Sequence, residues 1–134
     1  MTQIQSFKKN ISQKHLYVTN LVTFFNIFAM RIIAIKTLKQ YYERNPVSEY
    51  SLLTWYEEVE AAEWDSPNEL KAQFGNASVI TNKRVVFNIH GNNYRLIVDI
   101  EYKLKIVFVV WVGTHKEYDK INAKEIRYVK SNKK

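Results

Sequence analysis

The chain of 134 residues carries 20 Lys plus Arg against 13 Asp plus Glu, a formal charge of +7, and 46% of it is hydrophobic with only three Gly and two Pro. A domain of this length buries roughly 65% of its unfolded surface, and the composition excludes disordered, collagen-like and low-complexity classes. The absence of cysteine also excludes disulfide frameworks, thiolate nucleophiles and Cys-ligated metal centres.

Residues 1–29 hold three lysines (Lys8, Lys9, Lys14), no acids, and an apolar-rich stretch from Leu16 to Ala29. Thr19, Asn20, Thr23 and Asn26 interrupt that stretch. It falls short of the roughly 20 apolar residues of a membrane span, and no small-x-small cleavage pattern stands near Ala29. The expectation is an N-terminal extension outside the domain, with translation starting at Met30 and the domain running over 30–134.

From Met30 onward the periodicity is orderly. Arg31 to Ile35 is a short β-branched run, and Thr37 with Gln40 makes a capping-box pattern that opens a helix to about Arg44, stopped by Pro46. A second helix is expected over about Ser48 to Trp64, with Leu52, Trp55, Tyr56, Val59 and Ala62 on its apolar stripe and Glu57, Glu58, Glu60 and Glu63 on a solvated face. Ser66-Pro67-Asn68-Glu69 is another capping box, with Pro at the first helical position. It starts a short helix that reaches Phe74 before Gly75-Asn76.

The remainder reads as strand: Ser78 to Ile80, Arg84 to Ile89, a hairpin turn at Gly91-Asn92, Tyr94 to Glu101, and Ile106 to Val112. The last is an unbroken apolar run that suits a central strand covered on both faces. The predicted architecture is an α+β fold whose antiparallel β-sheet has the helices packed on one face.

Charge is segregated along the chain. Asn45 to Glu69 holds seven acids and no Lys or Arg, whereas Leu70 to Lys134 holds thirteen basic residues and five acids. A positive half suits a polyanion, since each Lys or Arg that neutralises a phosphate releases counterions; a plain solvated basic surface is the alternative.

Gly113-Thr114-His115-Lys116-Glu117-Tyr118-Asp119-Lys120 gathers an imidazole, a phenol, carboxylates and lysines at the end of the last strand. Thr114 and Glu117 stand in capping-box register, which accounts for them structurally but leaves His115 unexplained. A histidine at the end of a rigid strand is suited to proton transfer near neutral pH, though it is also compatible with an idle surface position. No H-E-x-x-H, Walker loop, G-x-G-x-x-G or G-x-S-x-G pattern exists, so no metal site is expected and nucleotide-dependent phosphoryl transfer and serine hydrolysis recede.

RNA cleavage without metal asks little of a protein, because the RNA's own 2′-hydroxyl attacks the phosphate. It needs proton-transfer groups and cations where charge develops. His115 and Tyr118 are candidates for the first task; Arg95 for phosphate binding; Lys83, Arg84 and Lys116 for the field. Arg84 and Arg95 equally fit ordinary exposed strand positions; Tyr94, Tyr118 and Trp111 are aromatics able to stack bases, although Trp111 fits the core better.

Phe87-Asn88-Ile89-x-Gly91-Asn92-x-Tyr94-Arg95-Leu96 followed by Gly113-Thr114-His115-x-x-Tyr118-Asp119 resembles the HigB family of type II toxin-antitoxin toxins in the RelE superfamily. Met30-Arg31-Ile32-Ile33 and Trp55-Tyr56-Glu57 extend the resemblance over Met30 to roughly Lys124. It implies a RelE-like fold and a cytoplasmic toxin that cuts mRNA in the ribosomal A site. It also implies no cofactor and a HigA-type helix-turn-helix antitoxin as partner. By position it implies phosphate binding by Arg95, acid-base work by His115, proton donation or orientation by Tyr118, and fixing of the histidine by Asp119. Asn92 joins Lys83, Arg84 and Lys116 in the expected RNA-contacting set. The alternatives are a non-catalytic RNA- or ribosome-binding module, and an exported or tethered protein that uses residues 1–29.

Overall fold

The computed structural model describes residues 26–130; the expectations for the extension therefore lie almost wholly outside the described residues. Five strands form one sheet in the order β1-β5-β4-β3-β2. They are β1 (Arg31–Ile33), β2 (Ser78–Val79), β3 (Arg84–Ile89), β4 (Tyr94–Glu101) and β5 (Ile106–Thr114), and between β1 and β2 come α1 (Lys36–Arg44), α2 (Glu49–Glu60) and α3 (Pro67–Gln73). A four-residue α4 (His115–Tyr118) follows β5 directly.

The α+β arrangement is as expected and is consistent with a RelE-like fold, but the sheet is mixed. β2 through β5 form an antiparallel meander, whereas β1 lies parallel to β5 with Arg31 opposite Ile106 and Ile33 opposite Phe108. The three helices between them act as the crossover that a parallel pairing requires. β5 is thus central at its start, but β1 is short, and from Val109 onward β5 has, among the described residues, a strand neighbour on one side only. A bulge falls there: Trp111 pairs with Ile97 and Val109 with Val98, leaving Val110 as the extra residue.

Helices α1 to α3 bury their apolar stripes against one face of the sheet. Leu38, Leu52, Trp55, Val59 and Leu70 meet Val85, Phe87, Leu96, Val98, Val107 and Val109 in one cluster. Phe87 sits at its centre, with Trp55 and Phe74 edge-on at 5.4 and 5.1 Å between centroids. The opposite face is covered by α4 and the segment after it, where Tyr118, Ile121, Ala123 and Ile126 pack on Val86, Ile97 and Val110. Helical cover is therefore confined to one face only for α1 to α3.

Local signals explain most boundaries. Ser66 caps α3 by accepting from the Glu69 N–H, and Pro67 occupies its first turn. The Thr37 capping box does not form: α1 starts at Lys36, with the cap two residues earlier than expected, at Ile35, and no side-chain cap bond. α2 ends at Glu60 rather than Trp64, and Trp64 turns inward to donate its indole N–H to Gln73. Among the described residues no helix is long and apolar enough to cross a membrane.

Candidate active site

The β3–β4 hairpin sets the first half of the site. Its loop passes through His90 and Gly91, both with positive φ, and glycine accepts that conformation without a Cβ penalty. His90 is held in it by an Asn93 amide contact at 3.0 Å and by stacking on Tyr94. The turn places Asn92 beside Arg95, and Arg95 opposite Asn88 on β3 and Gly113 on β5.

Arg95 is only 8% exposed. Its Nη1 donates to the carbonyls of Asn92 (3.2 Å) and Tyr94 (3.1 Å), and its Nη2 donates to Asn92 Oδ1. The guanidinium carbon stands 5.8 Å from the centre of the Tyr118 ring. A cation over an aromatic face is attracted by the ring quadrupole, and the hairpin fixes the fork's orientation. These bonds use three of its five N–H groups.

The second half is β5 running into α4. Thr114 accepts from the Glu117 N–H at 3.1 Å while Glu117 Oε1 accepts from the Thr114 N–H at 2.7 Å, completing the capping box expected from the sequence. The His115 N–H donates to the Asn93 carbonyl at 3.0 Å, tying the helix start to the hairpin. His115 Nε2 lies 3.6 Å from Asp119 Oδ2 one turn on, whereas Nδ1 is sealed from solvent and has no hydrogen-bond partner. Of the two ring nitrogens, Nε2 is the one that faces Asp119.

Arg95, Asn92, His115, Tyr118 and Asp119 thus share one corner of the sheet, with exposed Lys116 on the same short helix. Asn92 is engaged in holding Arg95. Lys83 and Arg84 do not join them. They sit at the other end of β3, where Arg84 pairs with Asp99, four positions and about 13 Å along the strand from the Asn88–Arg95 pair. Lys83 forms an ion pair with Glu101, which holds its ammonium above the usual range. Arg84 is spent on structure: Nε and Nη2 grip Asp99 at 2.6 and 2.9 Å, and Nη1 donates to the carbonyls of Ala123 (2.9 Å) and Ile126 (2.7 Å).

Two further polar residues stand near this corner. Asn88 is the exposed position of an otherwise buried strand and lies opposite Arg95. Counting outward from the hairpin turn would have paired them. Tyr41 comes from α1, buried edge-on against Tyr94 at 6.0 Å. Burial, with the Glu117 carboxylate next in weight, pushes its phenol up to about 12. No local pattern marks Tyr41, because its neighbours are distant in sequence. Among the described residues no group of three His, Cys, Asp or Glu side chains is placed to hold a metal ion.

Comparison with known proteins fits this geometry. Residues 48–121, more than half of the chain, match the HigB toxin family, described as the RelE-like toxic component of a toxin-antitoxin system. An mRNA interferase HigB of Escherichia coli O6:H1 is 29% identical over 106 residues, covering 78% of this chain and 99% of that protein. The mRNA interferase toxin HigB of Escherichia coli K12 and an mRNA interferase HigB of Shigella flexneri are each 29% identical over 92 residues, covering 67% of this chain and 88% of theirs. With Arg95 of the first motif and His115, Tyr118 and Asp119 of the second converging on one corner, the chain belongs to the HigB family of RelE-like toxins.

Proposed function

We propose that this protein is an mRNA interferase that cuts translated messages in the ribosomal A site without metal, acting in the cytoplasm and held silent by a HigA-type helix-turn-helix antitoxin. Its domain in this reading begins at Met30, whose side chain is 1% exposed in the main core. The names of the relatives support mRNA as the target. The observation that carries the reading is the Arg95 guanidinium lying 5.8 Å from the Tyr118 ring centre, on the four-residue helix that also bears His115.

In this mechanism Arg95 and Lys116 neutralise the scissile phosphate, and Asn92 keeps the Arg95 fork in place. His115 Nε2 takes the proton of the 2′-hydroxyl as its oxygen bonds to phosphorus. The P–O5′ bond breaks, and the Tyr118 hydroxyl protonates the leaving 5′-oxygen, leaving a 2′,3′-cyclic phosphate. Asp119, facing Nε2, steadies the imidazole once it carries the transferred proton.

Induced expression should arrest growth and leave translated messages cut, and His115→Ala should lower cleavage by on the order of 100-fold or more. A His115→Ala protein as active as the parent would remove His115 from the mechanism. Arrest without cut messages would make the protein an RNA- or ribosome-binding module.

A further inference from the structure

Among the described residues β5 loses its second strand neighbour after Phe108, and a groove of about 380 Å³ runs beside the open stretch, between α1 and the C-terminal segment. Trp111, Val110 and Val112 come from the strand, Gln40 and Arg44 from α1, and Arg127 from the segment beyond α4. Its polar and apolar linings are mixed, unlike the almost wholly apolar groove between α1 and α2 around Leu53 and Tyr56. Both arginines are exposed, and among the described residues neither meets a carboxylate within ion-pair distance. Arg44 also complements the carbonyl end of α1, but Arg127 lies outside any helix or strand.

Trp111 ties this groove to the reacting corner. Gly113, two residues on and about 7 Å along the strand, has no Cβ, and Trp111 Cζ2 occupies the space 2.6 Å from where one would stand. The indole also packs at 6.4 Å against the Tyr118 ring, which carries Arg95. Trp111 is half-buried and lines the groove, while the other two tryptophans, Trp55 and Trp64, are each 3% exposed. A flat aromatic face with two unpaired guanidiniums is the equipment that holds an unstacked base and its phosphates, and Gln40 adds hydrogen-bonding capacity for a base edge.

We propose that this groove binds one unpaired nucleotide of single-stranded RNA next to the scissile phosphate, its base against Trp111 and its phosphates held by Arg44 and Arg127. The inference rests on the RNA-cleaving reading above, and it adds a subsite that would bias which message sequences are cut. An acidic extended peptide is the rival occupant, and α1 lying alongside the strand edge disfavours it by obstructing strand addition.

The test uses the full chain and a short single-stranded 2′-O-methyl RNA, which cannot be cut because its nucleophile is blocked. Saturable quenching of tryptophan emission is expected, and it should vanish in Trp111→Phe. By anisotropy of labelled RNA, Arg44→Gln/Arg127→Gln should weaken binding by about tenfold or more and flatten its salt dependence, and Trp111→Phe should weaken it about tenfold. Lys39→Gln/Lys103→Gln, with the same loss of charge at exposed sites away from the groove, should change neither readout, and both double variants should melt as the parent does. Absence of quenching, binding indifferent to the two arginines, or poly-glutamate binding as tightly as RNA with the same arginine dependence would each overturn the proposal. Because the probe is uncut, a failure of catalysis in His115→Ala experiments and a failure of this subsite are read separately.

Discussion

Arg84 and Arg95 are the same residue type on adjacent strands, both nearly buried on the same face of the sheet, and their surroundings give them different tasks. Arg84 joins β3, β4 and the C-terminal segment by filling its donors with Asp99 and the carbonyls of Ala123 and Ile126. Arg95 keeps donors in reserve above Tyr118. Arg84→Ala should therefore destabilise the protein by about 2 kcal/mol, below the range for a fully buried pair because the Asp99 side chain is 38% exposed. Urea denaturation would show the loss, and proteolysis should move toward Ala123–Ile126; an unchanged midpoint would mean that the four bonds contribute nothing net. A basic residue in an alternating strand announces its face but not its partner, so the sequence left both arginines equally eligible for phosphate.

Among the elements, α4 has four residues and cannot be stable by itself, since nucleating one turn costs more than its few bonds return. The Thr114–Glu117 box and the His115 N–H bond to Asn93 hold it in place. Thr114→Ala should cost about 1 kcal/mol. It should also lower RNA cleavage and speed amide exchange over 115–118, while amides in β3 and β4 exchange as in the parent. This element was legible as a motif because a capping box is local. The Thr37 box was equally plausible and did not form, since the helix there begins at Lys36 under the pull of the Leu38 and Tyr41 contacts with the sheet. The bulge at Val110 and the parallel β1–β5 pair had no such signature.

For the whole molecule, one buried and one half-buried phenol set an alkaline limit. Burial, with Glu117 next in weight, pushes Tyr41 up to about 12, and burial with Glu60 beside it does the same for Tyr56. A raised folded-state value means that the neutral phenol is favoured in the folded protein. Their contribution to stability is thus complete below pH 10 and is lost as the pH rises through about 12. Denaturation midpoints should fall across that window, and Tyr41→Phe should lessen the slope; a fall confined to acid pH would contradict this. The acidic stretch and the basic half of the sequence also separate by element: α2 contributes Glu57, Glu58 and Glu60, whereas Lys116, Lys120, Lys124 and Arg127 follow β5.

By itself the sequence determined the kind of molecule: a small, basic α+β fold, its helix–strand order, the 84–89 and 94–101 hairpin strands, and two motifs carrying Arg95, His115, Tyr118 and Asp119. These are matters of periodicity, turn chemistry and capping, which act over a few neighbouring residues. The tertiary structure alone decided that Arg84 is a staple, that Tyr41 packs on Tyr94 and Asn88 stands opposite Arg95, and that a groove opens where β1 ends beside β5. Each depends on groups brought together from distant parts of the chain, and the partner of a charge or the cover of a strand edge exists only once the chain has closed on itself.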